Sequence, residues 1–235
     1  MEEGLASQLA EIALDLAAQP DLASTLGGIC SHAVATLDAD RCGIFLVENR
    51  RIKVAAMSGP HIEEAERAQT ASGQGPCLET IWHSETIHIA DMRTETRWPD
   101  WTPRMVELGW LCTLSLRLVD RTRTIGSLNL FCRKAHAFGP RHLDVGELFA
   151  GHASVALRSA REEQNLHQAI DARHLVGVAQ GILMERYNLD LQSAFDVMKR
   201  HSQQGNVKLH RVAEHVIEHR ELPAYGLTDI PASVR

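Results

Sequence analysis

The spacing of apolar residues divides the chain into helical ends and a strand-rich middle. Two apolar stripes recur at helical spacing near the N-terminus, over residues 5–16 and 22–37, with a break at Pro20 and Asp21. Helical spacing returns from residue 141 onward. The pattern predicts helices before residue 40 and after residue 140.

Four strands are predicted between these helices. Residues 42–48 form an almost continuous apolar run, which is typical of a central strand, and residues 51–57 follow a polar turn as its hairpin partner. Residues 112–118 alternate strictly between apolar and polar side chains, and residues 125–131 return after a second turn. We therefore expect an α+β domain, an antiparallel sheet with helices on one face.

The long connection between the two hairpins, residues 72–101, is rich in glycine and polar residues. Connections of this kind commonly carry binding function, because core packing does not require them. The candidate ligand-binding residues are Cys77, Trp82, Trp98 and Trp110. The alternative is that the tryptophans, Trp101 included, fill the core and that Cys77 is a small buried apolar residue.

In the C-terminal part of the chain, the apolar spacing predicts a long helix over residues 141–187 and two further short helices. The apolar stripe narrows after residue 161, as in a helix that connects two domains and pairs with its twin in a dimer. We expect domains at 1–160 and 161–222, followed by a tail at 223–235. Asp190 and Asn206 are the predicted N-caps.

Composition narrows the class of protein. The 235 residues are 44% hydrophobic with a formal net charge of −6, and the apolar runs fall short of a membrane span. The five separated cysteines are typical of reduced thiols. We expect a cytoplasmic protein with no membrane association. No phosphate-binding loop or hydrolase motif occurs, so we expect no enzyme and leave any cofactor open.

One face of the last helix carries a cationic pattern. Lys208, Arg211, His215 and His219 recur at spacings of three and four residues, opposite the apolar stripe. Two histidines four apart also suit a metal ion, but no third ligand has a recognisable position. Because a run of charges is commonly a solvated face, the pattern alone does not establish phosphate binding.

The motif R-x-L-V-G-x-A-x-G-I-L-M-E-R-Y, which begins at Arg173, resembles the ANTAR domain of bacterial transcription antiterminators. The later stretches A-F-x-x-M-K-R-x-S-Q and N-x-K-L-x-x-V-A-E-x-V fit the same domain. Upstream, G-Q-G-P-C-L-E-T and G-S-L-N-L-F resemble a GAF-type sensory domain. The two resemblances together cover nearly the whole chain and imply a sensor domain followed by a three-helix RNA-binding domain.

The resemblance implies a dimer that binds tandem stem-loops of a nascent transcript and prevents a terminator hairpin from forming. It also implies that the GAF-like domain senses an input. The sequence shows neither whether a small-molecule ligand exists nor whether the domain is instead a constitutive dimerisation scaffold. Gln180 departs from the pattern, since the family commonly has lysine there. The RNA-binding candidates carried over from the resemblance are Arg173, Ala179, Gln180, Gly181, Arg186, Ala194, Lys208 and Arg211.

Two other functions stay open. GAF-like folds include a reductase of free methionine sulfoxide, for which Cys77 and Cys112 are the candidate thiols. The terminal helices also permit a protein-binding or DNA-binding output domain. Gly177 and Gly181 each lower helix stability, so we expect either RNA or another helix to approach that face.

Overall fold

The computed structural model describes residues 2–48, 51–59, 62–83 and 85–223. The chain divides into two compact units, residues 1–162 and 163–235, and one long helix contributes to both. The predicted tail lies outside the described residues, except for Pro223. None of the helices in these ranges is long and apolar enough to cross a membrane.

The first unit combines helices with a five-stranded sheet. Its helices are α1 (Glu2–Ala17), α2 (Leu22–Leu37), α3 (Ile62–Ser72), α4 (Pro76–His83), α5 (Thr102–Glu107) and the first part of α6 (Pro140–Tyr187). Its strands are β1 (Arg41–Glu48), β2 (Arg51–Met57), β3 (Ile87–Ile89), β4 (Cys112–Asp120) and β5 (Arg123–Cys132). A short 3₁₀-helix occupies Met92–Thr94.

All strand pairs are antiparallel, in the order β2-β1-β5-β4-β3. Both predicted hairpins are confirmed, β1 with β2 and β4 with β5. The strand β3 was not predicted, because three residues within a polar connection are too few to show alternation. The α+β class and the antiparallel sheet are therefore confirmed.

Helices cover both faces of this sheet rather than the one face expected. On the first face, Ile44 and Leu46 of β1 share a core with Ile29 of α2 and Phe149 of α6. On the second face, Phe45 of β1 packs with Cys77 and Ile81 of α4. The physical reason lies in the continuous apolar run of β1, whose alternate side chains are buried on opposite faces.

The second unit consists of the last part of α6, α7 (Leu191–Gly205) and α8 (Leu209–His219). Its small core takes residues from all three helices: Val176, Ala179, Leu183, Ala194, Met198, Val212, Ala213 and Val216. The long helix and the two short helices after it agree with the prediction.

One of the two predicted N-caps is confirmed. The Asp190 carboxylate accepts a hydrogen bond from the Ser193 N–H at 2.7 Å and caps α7. The prediction for Asn206 is wrong. Asn206 ends α7 in the left-handed conformation, with φ 50° and ψ 38°, and Lys208 takes the N-cap position of α8.

Candidate functional site

The second unit presents several exposed cations. Arg173 and Arg186 lie on α6, Lys199 and Arg200 lie near the end of α7, and Lys208 precedes α8. Among the described residues, none of these five has a carboxylate partner within ion-pair distance. Free, exposed cations of this kind are available to the phosphates of a nucleic acid.

Arg211 differs from these cations because it already has a partner. Its guanidinium donates to the Glu214 carboxylate at 2.9 Å, one turn along α8. Both side chains are well exposed, so the pair contributes little to stability. Glu214 nevertheless offsets the charge that Arg211 presents to a phosphate.

The two alanines of the predicted RNA-binding set lie in the core. Ala179 and Ala194 have 0% exposure and belong to the packed interface of the three helices. Neither methyl group is accessible to RNA in this structure. Their contribution is to let the helices approach one another closely.

Gly177 and Gly181 of α6 lie on the opposite, exposed side. A Cβ atom added at Gly177 or Gly181 would meet nothing within 4 Å. No close contact within the described residues therefore requires either glycine. A surface that remains open in the isolated chain is consistent with a partner approaching from outside.

Gln180 links α6 to α7. Its side-chain amide donates a hydrogen bond to the main-chain carbonyl of Leu191 at 3.1 Å. This contact places Gln180 at the junction of the two helices. Arg186 lies six residues later on α6, about 9 Å along the helix axis.

Two histidines of the cationic face are stacked. The rings of His215 and His219 lie 4.2 Å apart with an interplanar angle of 19°. Burial, and next the neighbouring His219, lower the pKa of His215 below 6.5, while Glu221 and Glu218 oppose this shift. The lowered pKa favours the neutral form of His215, so this side chain adds less positive charge to the face than an unperturbed histidine would.

The predicted ligand-binding residues of the first unit do not lie together. Trp98 and Trp110 are buried in a cluster with Trp101 and Phe131. The Trp98 indole N–H also donates to the Glu79 carboxylate at 2.8 Å. Trp82 is 62% exposed on α4. These positions favour core filling for Trp98 and Trp110 over a shared aromatic pocket.

The candidate thiols are enclosed. Cys77 is buried near the start of α4, where its sulfur accepts a hydrogen bond from the Gln69 amide at 2.8 Å and its N–H donates to the same amide's oxygen at 3.1 Å. Cys112 is also fully buried, and burial raises the pKa of its thiol. A reactive cysteine needs thiolate character and access, so the surroundings of Cys112 disfavour nucleophilic chemistry.

A buried polar row on the second face of the sheet was missed by sequence reasoning. Ser115 of β4 faces Asn129 of β5, and Asn129 faces Gly43 of β1. The α4 helix packs on β4 and β5 and adds Thr80. Among the described residues, the Ser115 and Thr80 hydroxyls and the Asn129 amide oxygen have no hydrogen-bond partner.

Unpartnered buried polar atoms are uncommon in native proteins and point to a ligand or ordered water. In the sequence, the polar side chains that alternate with apolar ones in β4 are the signal of this row. We had interpreted those polar side chains only as one face of a sheet.

A separate open groove of about 700 Å³ lies between β2 and α3, where Val54, Met57 and Arg67 contribute to its walls.

Comparison with solved structures agrees with the fold of the first unit. The GAF domain of an Acinetobacter phosphoenolpyruvate-protein phosphotransferase matches with a TM-score of 0.57 and 14% identity, over 69% of this chain and 97% of that chain. A corresponding GAF domain from Coxiella burnetii matches with a TM-score of 0.55 and 19% identity, over 68% and 96%.

Free methionine-R-sulfoxide reductase from Neisseria meningitidis, solved with its substrate, also matches. Its TM-score is 0.55 with 16% identity, over 68% of this chain and 91% of that chain. At such identities the likeness shows the fold alone. No curated protein matches this chain.

Family models match both parts of the chain. The GAF domain model matches residues 19–158, which is more than half of the sequence, and the ANTAR domain model matches residues 164–217. The second match covers the three-helix unit with its free cations. The chain therefore belongs to the two-domain regulators in which a GAF sensory domain precedes an ANTAR domain, the RNA-binding module of transcription antitermination.

Proposed function

We propose that this protein binds tandem stem-loops in a nascent transcript as a homodimer and so prevents a terminator hairpin from forming. The observation that carries the proposal is the set of exposed cations without carboxylate partners in the described part of the ANTAR match. We assign the sensor domain to residues 1–160 and the RNA-binding domain to residues 161–222, in the cytoplasm.

Contacts with phosphate groups supply the affinity for RNA. Arg173, Arg186 and Lys208 release condensed counterions when they meet the RNA backbone, which makes binding favourable and dependent on salt. Arg211 contributes after it exchanges Glu214 for a phosphate. Gly181 permits close approach to α6, while Ala179 and Ala194 hold the helices that carry these groups.

The small-molecule input would enter the sensor domain at the buried polar row. Ser115, Asn129 and Thr80 offer neutral hydrogen-bonding groups without partners among the described residues. A ligand there acts on RNA binding only if it has different affinities for two states of the protein. Cys77 lies on the same helix as Thr80. Trp98 and Trp110 belong to a separate buried cluster, and Trp82 is exposed.

A thiol enzyme is less well supported. Burial of Cys77 and Cys112 leaves both sulfurs away from solvent, and burial raises the pKa of the Cys112 thiol. An enzyme of this kind would also leave the ANTAR match without a role. The remaining alternative is an output domain that binds protein or DNA. The experiment below distinguishes binding to RNA from binding to DNA.

Transcription read-through tests the proposal. A template carries two stem-loops with randomised loops, the second overlapping the first arm of an intrinsic terminator so that the two hairpins compete. It is transcribed with the full chain, and the products that pass the terminator are sequenced. We expect enrichment of particular loops and a requirement for both hairpins, with two chains per RNA by sedimentation. No enrichment of any loop, or binding only to duplex DNA, contradicts the proposal.

A further inference from the structure

An exposed aromatic side chain lies where α6 meets α7. Tyr187 is the last residue of α6, and α7 begins at Leu191 after Asn188, which has a left-handed backbone with φ 51°. Tyr187 is 45% exposed and Leu191 is 62% exposed. Neither side chain is part of the core of the second unit, so internal packing does not account for their size.

A cation lies beside this ring, and an amide lies about two helical turns before it on the same side of α6. The Arg186 guanidinium carbon lies 5.8 Å from the centre of the Tyr187 ring, within the range of a cation–π contact. Gln180 precedes Tyr187 by seven residues, which places both on the same side of α6, about 10 Å apart along the axis. The hydrogen bond from Gln180 to the Leu191 carbonyl fixes the amide at this corner.

The nearby carboxylates leave the ring open. Asp190 is held as the N-cap of α7 by the Ser193 N–H, and that hydrogen bond lowers the pKa of the carboxyl, which keeps it ionised. Glu185 lies two residues before Tyr187, about 160° away around the helix. Arg186 has no carboxylate partner among the described residues, so its charge can meet an anion beside the ring.

We infer that the corner formed by Gln180, Arg186, Tyr187 and Leu191 receives an unpaired base of an RNA loop. The base stacks on Tyr187, the Arg186 guanidinium meets an adjacent phosphate, and the Gln180 amide is placed to bond a base edge. Unpaired loop bases are recognised by stacking on aromatic side chains and by hydrogen bonds to their edges. The inference rests on the proposed function, and it adds the contacts by which the protein distinguishes an unpaired loop from a duplex.

The selectivity follows from the stacking. Bases inside a duplex are covered on both faces by their neighbours, so they cannot place a face on Tyr187. A loop base that is already unstacked meets the ring without that cost. The corner should therefore contribute affinity for hairpins with open loops and none for a continuous duplex.

The test uses the full chain and a tandem hairpin taken from a loop-randomised library, with 2-aminopurine placed at each loop position in turn. Fluorescence reports stacking of the labelled base. Three variants are compared with the wild type: Tyr187→Phe keeps the ring, Tyr187→Leu keeps apolar bulk alone, and Arg186→Lys keeps the charge. Thermal unfolding checks that these exposed substitutions leave the fold intact.

We expect one loop position to be quenched on binding by the wild type and by Tyr187→Phe. With Tyr187→Leu the quenching should disappear, and affinity should fall roughly 5- to 100-fold with an unchanged salt slope. Equal RNA affinity and quenching for Tyr187→Leu and the wild type would overturn the inference while leaving the proposed function intact. If the wild type selects no hairpin from the library, the proposed function itself fails.

Discussion

The side-chain amide of Gln180 donates a hydrogen bond to the main-chain carbonyl of Leu191, the first residue of α7, over 3.1 Å. The same position commonly carries lysine in the family that the sequence resembles. In this chain a neutral group therefore occupies the junction between α6 and α7, and the link between the two helices is kept without a positive charge.

Gln180→Lys should make RNA binding more strongly dependent on salt. The added ammonium supplies one further phosphate contact, so the slope of log affinity against log salt should steepen by about 0.7 to 0.9. Filter binding across a salt series measures this slope. Gln180→Met is the matched control, since it keeps similar length without charge or hydrogen bond. An unchanged slope in Gln180→Lys would show that position 180 does not face phosphate.

Gly181→Ala should change stability and binding in opposite directions. Apart from the neighbouring residues and backbone of α6 itself, no described atom lies within 4 Å of the added methyl group, and alanine favours a helix over glycine by up to about 1 kcal/mol. We expect a higher free energy of unfolding by chemical denaturation, together with weaker RNA binding or weaker dimerisation. Glycine at position 177 provides a second, independent test through Gly177→Ala.

One result for Gly181→Ala and Gly177→Ala would contradict the proposed approach of a partner to α6. A variant that is more stable and keeps both RNA affinity and dimer dissociation constant would show that nothing approaches this face. The glycines would then have no role in binding, and our interpretation of the exposed side of α6 would be wrong.

The stacked histidines predict a pH dependence of stability. The folded-state pKa of His215 lies below 6.5, so the unfolded chain takes up this proton first as the pH falls. The free energy of unfolding should therefore decrease as the pH falls below about 6.5 toward the folded pKa. Above that value both states are neutral at His215, and its contribution is constant.

His215→Gln should reduce this decrease, and His219→Gln should raise the pKa of His215 in the folded chain because it removes the neighbouring ring. Titration of the histidine ring signals by NMR in the wild type and in His219→Gln measures the second effect. An apparent pKa of His215 at or above 6.5 in the wild type would refute the burial that we ascribe to it.

The buried polar row predicts opposite effects for two neighbouring positions of β4. The Thr113 hydroxyl donates to the Leu130 carbonyl at 2.7 Å, whereas the Ser115 hydroxyl has no partner among the described residues. Thr113→Val should cost about 1 kcal/mol of unfolding free energy, while Ser115→Ala should cost nothing or add up to about 1 kcal/mol. Urea denaturation of both variants compares them.

An equal loss of stability in Ser115→Ala and Thr113→Val would mean that the Ser115 hydroxyl is satisfied in solution. Mass spectrometry under native conditions would then show whether a bound small molecule or water alone provides the partner. A mass equal to that of the bare chain would leave water as the partner.

Long periodic segments were predictable from the sequence, and short ones were not. The alternation over residues 112–118 predicted β4 and its buried face, and the helical spacing over residues 141–187 predicted α6. By contrast, β3 has three residues and α5 has six, which is too few to show a period. The strand β3 lies in the connection that we interpreted as a binding segment, and α5 follows that connection directly.

Side-chain exposure was the least predictable feature. Trp82 and Trp98 belong to the same connection, yet one is 62% exposed and the other 2%. Likewise Asn206 was expected to begin a helix, but its left-handed backbone ends one, because asparagine suits both positions. The polar row at Ser115 and Asn129 depends on strand register across the sheet, which a linear sequence does not contain.

The most direct test of RNA binding is the affinity of the full chain for a tandem hairpin across a salt series, compared with a duplex of equal length and with Lys208→Ala. We predict tight binding to the hairpin, weak binding to the duplex, and a slope for Lys208→Ala that is less steep by about 0.7 to 0.9. Equal, weak binding to both RNAs by a folded protein, with the same slope in Lys208→Ala, would contradict the account.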